Sequence, residues 1–170
     1  RCKRLLLACG ASERPLAFPA NDRPGIMLAA SVRQYIHRYA VMPGKRAMLA
    51  IADPREREAT REALLHAGID VASELLPAEH IIGTRGRSRL RAVVCHDRAG
   101  GQRVINCDLL CVSAGWNPNA QIAAQAGSGL HFEPTINALI PLPQDGICFS
   151  SGACRGLGGM KDCARDGELQ

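Results

Sequence analysis

The sequence predicts an α/β fold built on parallel strands, and two segments carry that expectation. Lys45 to Ala72 reads as strand, helix and strand with a stop at Gly68, while Ile147 to Ala164 reads as strand, glycine turn and helix. The composition agrees. A chain of 170 residues, 46% of them hydrophobic, suffices for one or two small domains with a real core.

Lys3 to Leu7 is a short apolar strand that runs into Ala8-Cys9-Gly10-Ala11. The next stretch is made of turn-forming and charged residues, Ser12-Glu13-Arg14-Pro15, Phe18-Pro19 and Asn21-Asp22-Arg23-Pro24-Gly25-Ile26-Met27-Leu28, and is expected to be loop. Ser31 to Val41 follows as a helix, because Val32, Tyr35, Ile36 and Tyr39 stand at i, i+3, i+4 and i+7. Arg33, His37 and Arg38 fall outside that face, and Pro43-Gly44 stops the helix. A histidine on a basic helical face is read as solvated rather than as a proton carrier.

Lys45 to Ala52 is apolar from Ala47 onward, as expected of a strand covered on both faces. Asp53 fits a helix N-cap and Pro54 the first helical position. The helix runs to Ala67 with Ala59, Ala63, Leu64 and Ala67 facing inward, and Ile69 to Ala72 returns as a second parallel strand. Such a unit has the topology of a dinucleotide-binding fold. Its turn, Ala52-Asp53-Pro54-Arg55-Glu56-Arg57, has no glycine to let the backbone approach a pyrophosphate. Pro54 removes one amide, and Asp53 and Glu56 place negative charge where an anion would sit. Glu74 lies near the position of a ribose-binding acid, yet the missing cradle favours a unit kept for architecture.

Leu90 to Asp97 and Gln102 to Asn106 are strands joined at Gly100-Gly101, and Leu109 to Ser113 closes this meander. Asn119 to Ala126 is a short helix, followed by an irregular stretch around Pro134, Pro141 and Pro143. The chain ends with the strand Ile147 to Ser150, the turn Ser151 to Gly159 and a helical segment toward Ala164.

The net charge of +5 is spread along the chain, and six aromatic residues without basic interleaving exclude a stacked nucleic-acid platform. No apolar run has transmembrane length and no signal-peptide pattern stands at the N-terminus, so a cytoplasmic protein is expected. Eight cysteines include no Cys-x-x-Cys pair. Cys107 and Cys111, four apart in an expected strand, stand roughly 13 Å from one another, too far to share one zinc. Free thiols in a reducing compartment are the expectation, with no metal site. No paired carboxylates and no Ser/His/Asp arrangement suggest a catalytic group.

Two segments carry a family resemblance. Ala8-Cys9-Gly10-Ala11 with the Pro-Gly stretch through Leu28, and Ser113-Ala114-Gly115-Trp116-Asn117-Pro118, resemble the alpha subunit of heterotetrameric sarcosine oxidase. Gly115 to Asn119 also has the Gly-x-x-Pro-Asn form that marks, in flavoproteins of the glutathione-reductase type, the return from the inserted nucleotide domain. The resemblance implies a partial two-dinucleotide-binding-domain fold. Residues 1–43 and 116–170 would be parts of the first, FAD-type domain, and 44–115 the inserted NAD-type domain. It also implies a fragment, because the family's Gly-x-Gly-x-x-Gly unit precedes the opening strand.

In the wider flavoprotein group a Gly-Asp pair follows the last strand. Here Gly152 matches, while Ala153 and Cys154 replace the acid. That departure agrees with a subunit similar in fold to an FAD domain but holding NAD. Ala8, Cys9, Gly10, Gly152 and Ala153 are the cofactor-proximal positions, Cys9 standing where the family has threonine. Backbone amides at Gly152 and Ala153 are expected to face the pyrophosphate. Trp116 is read as a hinge or domain contact rather than a stacking platform. The implied complex carries FAD and FMN, has a beta subunit with the catalytic flavin among its partners, and oxidatively demethylates sarcosine to glycine, formaldehyde and hydrogen peroxide. An opine or amino-acid dehydrogenase, or hydrogen cyanide synthase, shares part of the pattern. A structural or subunit-interaction module is the reading from another class.

Overall fold

A computed structural model describes residues 3–75, 79–96, 100–143 and 148–169. Cys2, Asp97 and Ile147, each part of an expectation above, lie outside the described residues. In chain order the elements begin with β1 (Leu5–Leu7), β2 (Ala11–Glu13), β3 (Ile26–Leu28) and α1 (Ala29–Tyr39). They continue with β4 (Arg46–Ile51), α2 (Pro54–His66), β5 (Asp70–Glu74), β6 (His80–Arg85), β7 (Ala92–His96), β8 (Gln102–Asn106) and β9 (Leu109–Ser113). Then come β10 (Trp116–Pro118), α3 (Gln121–Gln125), β11 (Leu130–Glu133), β12 (Ala138–Pro141), β13 (Cys148–Ser150) and α4 (Met160–Glu168). A 3-10 turn spans Gly152–Arg155. None of these helices is long and apolar enough to cross a membrane.

The chain separates into two compact units, Arg14–Gly115 and the pair of segments Arg1–Glu13 and Trp116–Gln170. Residues 14–43 were expected in the first domain with 1–13, and the structure places them in the other unit. The reason is physical: β3 pairs in parallel with β9, and α1 lies over the same sheet as α2.

The unit of residues 14–115 is layered around an all-parallel sheet of order β3-β9-β4-β5. Alternation along β4 sends Ala47, Leu49 and Ile51 to one face, where they pack with Ala29 and Val32 of α1 and Leu64 of α2. Met48 and Ala50 point to the other face, against Val93 and Cys95 of β7 and Ile105 of β8. Both faces are therefore dry, and each buried Leu or Met side chain contributes roughly 1.5–3 kcal/mol. The second layer is the antiparallel sheet β6-β7-β8.

Several expectations change here. β9 does not close the meander but sits between β3 and β4, its five residues all buried. β3 was expected to be loop, and β6 was not foreseen. On α1, Tyr35 and Tyr39 remain 44% and 55% exposed, because Ala29, Val32 and Ile36 form the packed stripe. The helix ends before Pro43, at Ala40 in the left-handed region with φ 51°, whose N–H donates to the Ile36 carbonyl. On α2, Ala59 is exposed and Thr60 is buried in its place. Thr60 Oγ1 donates to the Glu56 carbonyl at 2.7 Å and accepts from Arg33 at 2.7 Å, which satisfies a hydroxyl that is fully out of water.

Cys107 packs with the Met48 face and Cys111 with the Leu49 face, so the sheet itself separates the two thiols. None of the seven cysteines among the described residues takes part in a disulfide. Burial pushes the Cys95 and Cys107 thiols up to about 11.

In the other unit β1 and β13 pair in parallel, β2 and β10 antiparallel, and β11 and β12 form a hairpin. That hairpin occupies the stretch read as irregular. Its turn closes with Asn137 N–H donating to the Pro134 carbonyl at 3.2 Å, Asn137 taking φ 50°. A small core of Leu7, Ala123 and Cys148 sits beneath β1.

Candidate functional site

Parallel pairing of β1 with β13 sets Leu7 beside Ser150, and the Ser151 N–H donates to the Leu7 carbonyl at 2.8 Å. Both strands therefore end at one level. Ala8, Cys9 and Gly10 leave the sheet next to Gly152 and Ala153, two segments more than a hundred residues apart in sequence. Ligands of α/β sheets bind outside the carboxyl ends of the strands, and that is where these five residues stand. Gly10 turns with φ +72° and has nothing within 4 Å of the place a Cβ would take, so open space lies over it. Gly152 adopts φ +75°, a conformation that L side chains rarely accept.

Asn119 fixes the first segment. Its side-chain NH2 donates to the Cys9 carbonyl at 2.9 Å, and its backbone N–H donates to the Gly10 carbonyl at 3.0 Å. Ser12 Oγ donates to Asn119 Oδ1 at 3.0 Å, and Cys9 Sγ to the Asn119 carbonyl at 3.1 Å. Asparagine can hold a bend this way because it offers donor and acceptor on one short arm. Sequence reasoning used Asn119 only as the end of a Gly-x-x-Pro-Asn pattern, although that pattern was the signal.

Burial, and then the neighbouring Cys154 thiol, raise the Cys9 thiol above its ordinary value. A protonated thiol is a poor nucleophile, so this cysteine acts as a small hydrogen-bond donor in the bend. Cys154 is itself buried, its S–H lying 3.2 Å from the Leu7 carbonyl and 3.0 Å from that of Ser151.

Two residues missed by the sequence reading complete the second segment. The Gly152 N–H, expected to face a pyrophosphate, donates to Asp166 Oδ2 at 2.8 Å. Asp166 Oδ1 accepts from Arg155 at 2.6 Å, so a carboxylate from α4 bridges an amide and a guanidinium as a phosphate would. Asp166 lies fourteen positions beyond Gly152 in a polar helix, and no motif draws attention to it. A nearby cavity lined by Ser128, Leu142, Phe149 and Arg155 holds about 80 Å³. Small-molecule pockets run to roughly 300–1,000 Å³.

The second candidate turn, at the start of α2, is also filled by its own side chains. Asp53 Oδ1 accepts from the Arg55 N–H at 2.7 Å and the Glu56 N–H at 3.1 Å, taking the amides an anion would need. Glu74 is held by Arg57 at 3.6 Å and by Arg61. Trp116 opens β10, half-buried opposite Glu13, and His37 is exposed. Among the described residues no three or more His, Cys, Asp or Glu side chains gather as metal ligands.

No protein-family model matches the chain. It is 30% identical to the sarcosine oxidase subunit alpha of Corynebacterium sp. (strain U-96) over 92% of its length, and 31% identical to that of Rhizobium meliloti (strain 1021) over 73%. The chain spans 19% and 14% of the length of these two curated relatives. Among solved structures it is similar to L-proline dehydrogenase from P. horikoshii, with a TM-score of 0.72, 21% identity, and coverage of 89% of this chain and 30% of that one. Thioredoxin reductase from T. acidophilum superposes with a TM-score of 0.65 at 11% identity, covering 96% of this chain and 62% of that one. The fold is thus that of the FAD- and NAD-dependent flavoprotein oxidoreductases.

Proposed function

We propose that this chain is the nucleotide-binding part of an oxidoreductase subunit of the sarcosine oxidase alpha type, and that it takes a dinucleotide, NAD by resemblance, beyond the ends of β1 and β13. The observation that carries the reading is the strand register that gathers Ala8, Cys9, Gly10, Gly152 and Ala153 at one sheet end. The residues fit such a group: open space stands over Gly10, and Gly152 and Arg155 already bind a carboxylate with a phosphate-like fork. Arg155 and the Gly152 amide would hold the pyrophosphate once Asp166 withdraws, while Asn119 keeps the Cys9–Gly10 bend in place. A bound nicotinamide dinucleotide supplies hydride transfer. No side chain of the site acts as acid, base or nucleophile in this reading.

The parent complex would carry FAD and FMN and oxidise sarcosine at a flavin on its beta subunit, this chain contributing nucleotide binding and subunit contacts. Support comes from the two curated relatives and from the fold. Calorimetric titration of the purified chain with NAD, FAD and adenosine diphosphate ribose tests the binding. Heat with NAD and with adenosine diphosphate ribose is expected, and its absence from a folded protein overturns the reading. Co-purification with a flavin-containing beta subunit tests the complex.

A second reading, a nucleotide-free interaction module, is favoured by the internal occupation of both candidate anion sites by Asp53 and Asp166. It expects no heat with any of the three ligands.

A further inference from the structure

We propose that His80 and His96 form a two-imidazole chelate for a divalent transition-metal ion, of the zinc or copper class, on the β6-β7-β8 sheet. The two residues are direct cross-strand partners in the β6–β7 ladder. Their rings meet edge to face, with centroids 4.9 Å apart and planes at 86°, and His96 Nδ1 lies 3.1 Å from His80 Nε2. Two nitrogens on one tetrahedral zinc, each at about 2.0–2.1 Å, stand about 3.3 Å apart. The existing separation is therefore within a few tenths of an ångström of that in a chelating pair, and rotation of the two rings about their side-chain bonds turns the lone pairs onto one ion.

Preorganisation comes from the sheet. β7 is the central strand, bonded to β6 on one side and β8 on the other, with His96 opposite His80 and Gln102. His96 is half-buried and His80 exposed, so a bound ion keeps an open side on which water completes its shell. The neighbouring carboxylate of Glu79 is not needed, since it pairs with Arg103 at 2.8 Å. Coordination requires a lone pair on both facing nitrogens, so a ring that carries its N–H on the facing nitrogen must first move that proton through solvent to its other nitrogen. Neutral imidazoles suit zinc, copper and nickel.

Titration of the full chain with zinc ion alone tests this. One equivalent is expected to bind, to raise the melting temperature, and to shift the imidazole C–H resonances of His80 and His96 together. His80→Ala and His96→Gln are each expected to weaken binding at least tenfold, with His37→Ala unchanged. His80→Gln, at an exposed position, serves if the alanine variant fails to fold. Zinc binding that survives loss of either ring with undiminished affinity, or a wild-type chain that takes up no zinc, overturns the proposal.

Discussion

Asp166 holds the two donors, the Gly152 N–H and Arg155, to which the proposed function assigns a pyrophosphate. A hydrogen bond to a charged group is worth roughly 1.5–3 kcal/mol, so its displacement should cost any anion about tenfold or more in affinity. Asp166→Ala is accordingly expected to tighten adenosine diphosphate ribose by about tenfold, read by calorimetry, while lowering the melting temperature by several degrees. An unchanged affinity would remove Asp166 from the site. The buried thiols make a second residue-scale prediction. Cys95 and Cys107 titrate near 11 in the folded chain against a reference of 9.0. Below pH 9 both are protonated in either state; between about 9 and 11 the unfolded chain gives up these protons first, so stability falls as pH rises. A Cys95→Ala/Cys107→Ala double variant should lose less melting temperature between pH 8 and pH 10.5 than the parent chain does.

The elements differ in how openly they were written. α2 was legible at its start because Asp53-Pro54 is a local signal, and Asp53 does cap the Arg55 and Glu56 amides. Asp53→Ala should cost about 1 kcal/mol in denaturant unfolding and leave nucleotide titrations unchanged. Its inward face was less legible, since periodicity alone prefers Ala59 and cannot foresee that Arg33 and the Glu56 carbonyl satisfy a buried Thr60 hydroxyl. β2 and β3 were invisible for another reason: three residues are too few to show a period, and Pro24-Gly25 reads as a turn. Only pairing partners distant in sequence, β10 and β9, make them strands. The candidate site shows the same division. Its glycines stand out in the sequence, whereas Asn119, Arg155 and Asp166 gain their roles through contacts.

On the scale of the whole molecule, the two units differ in how their parallel strands are covered. β4 and β9 are buried along nearly their whole length, while β1 leaves Leu5 and Leu6 38% and 53% exposed. Native-state hydrogen exchange should therefore find the slowest amides in β4 and β9, and much faster ones in β1 and β13. Equal protection in both sheets would contradict that ordering. The resemblance put the first boundary after residue 43 whereas the compact unit begins at Arg14, because β3 and α1, read locally, carry nothing that says which sheet they join. In the β2–β10 ladder Glu13 faces Trp116 directly. The chain leaves and re-enters this unit at adjacent points, and antiparallel partners lie only ~4.5–5.5 Å apart. A gene in which codons 14–115 are replaced by those for Asn-Gly would join the two ends through an ordinary hairpin turn. The unit of residues 14–115 is, in this sense, a removable cassette, open to transplantation or exchange between related chains.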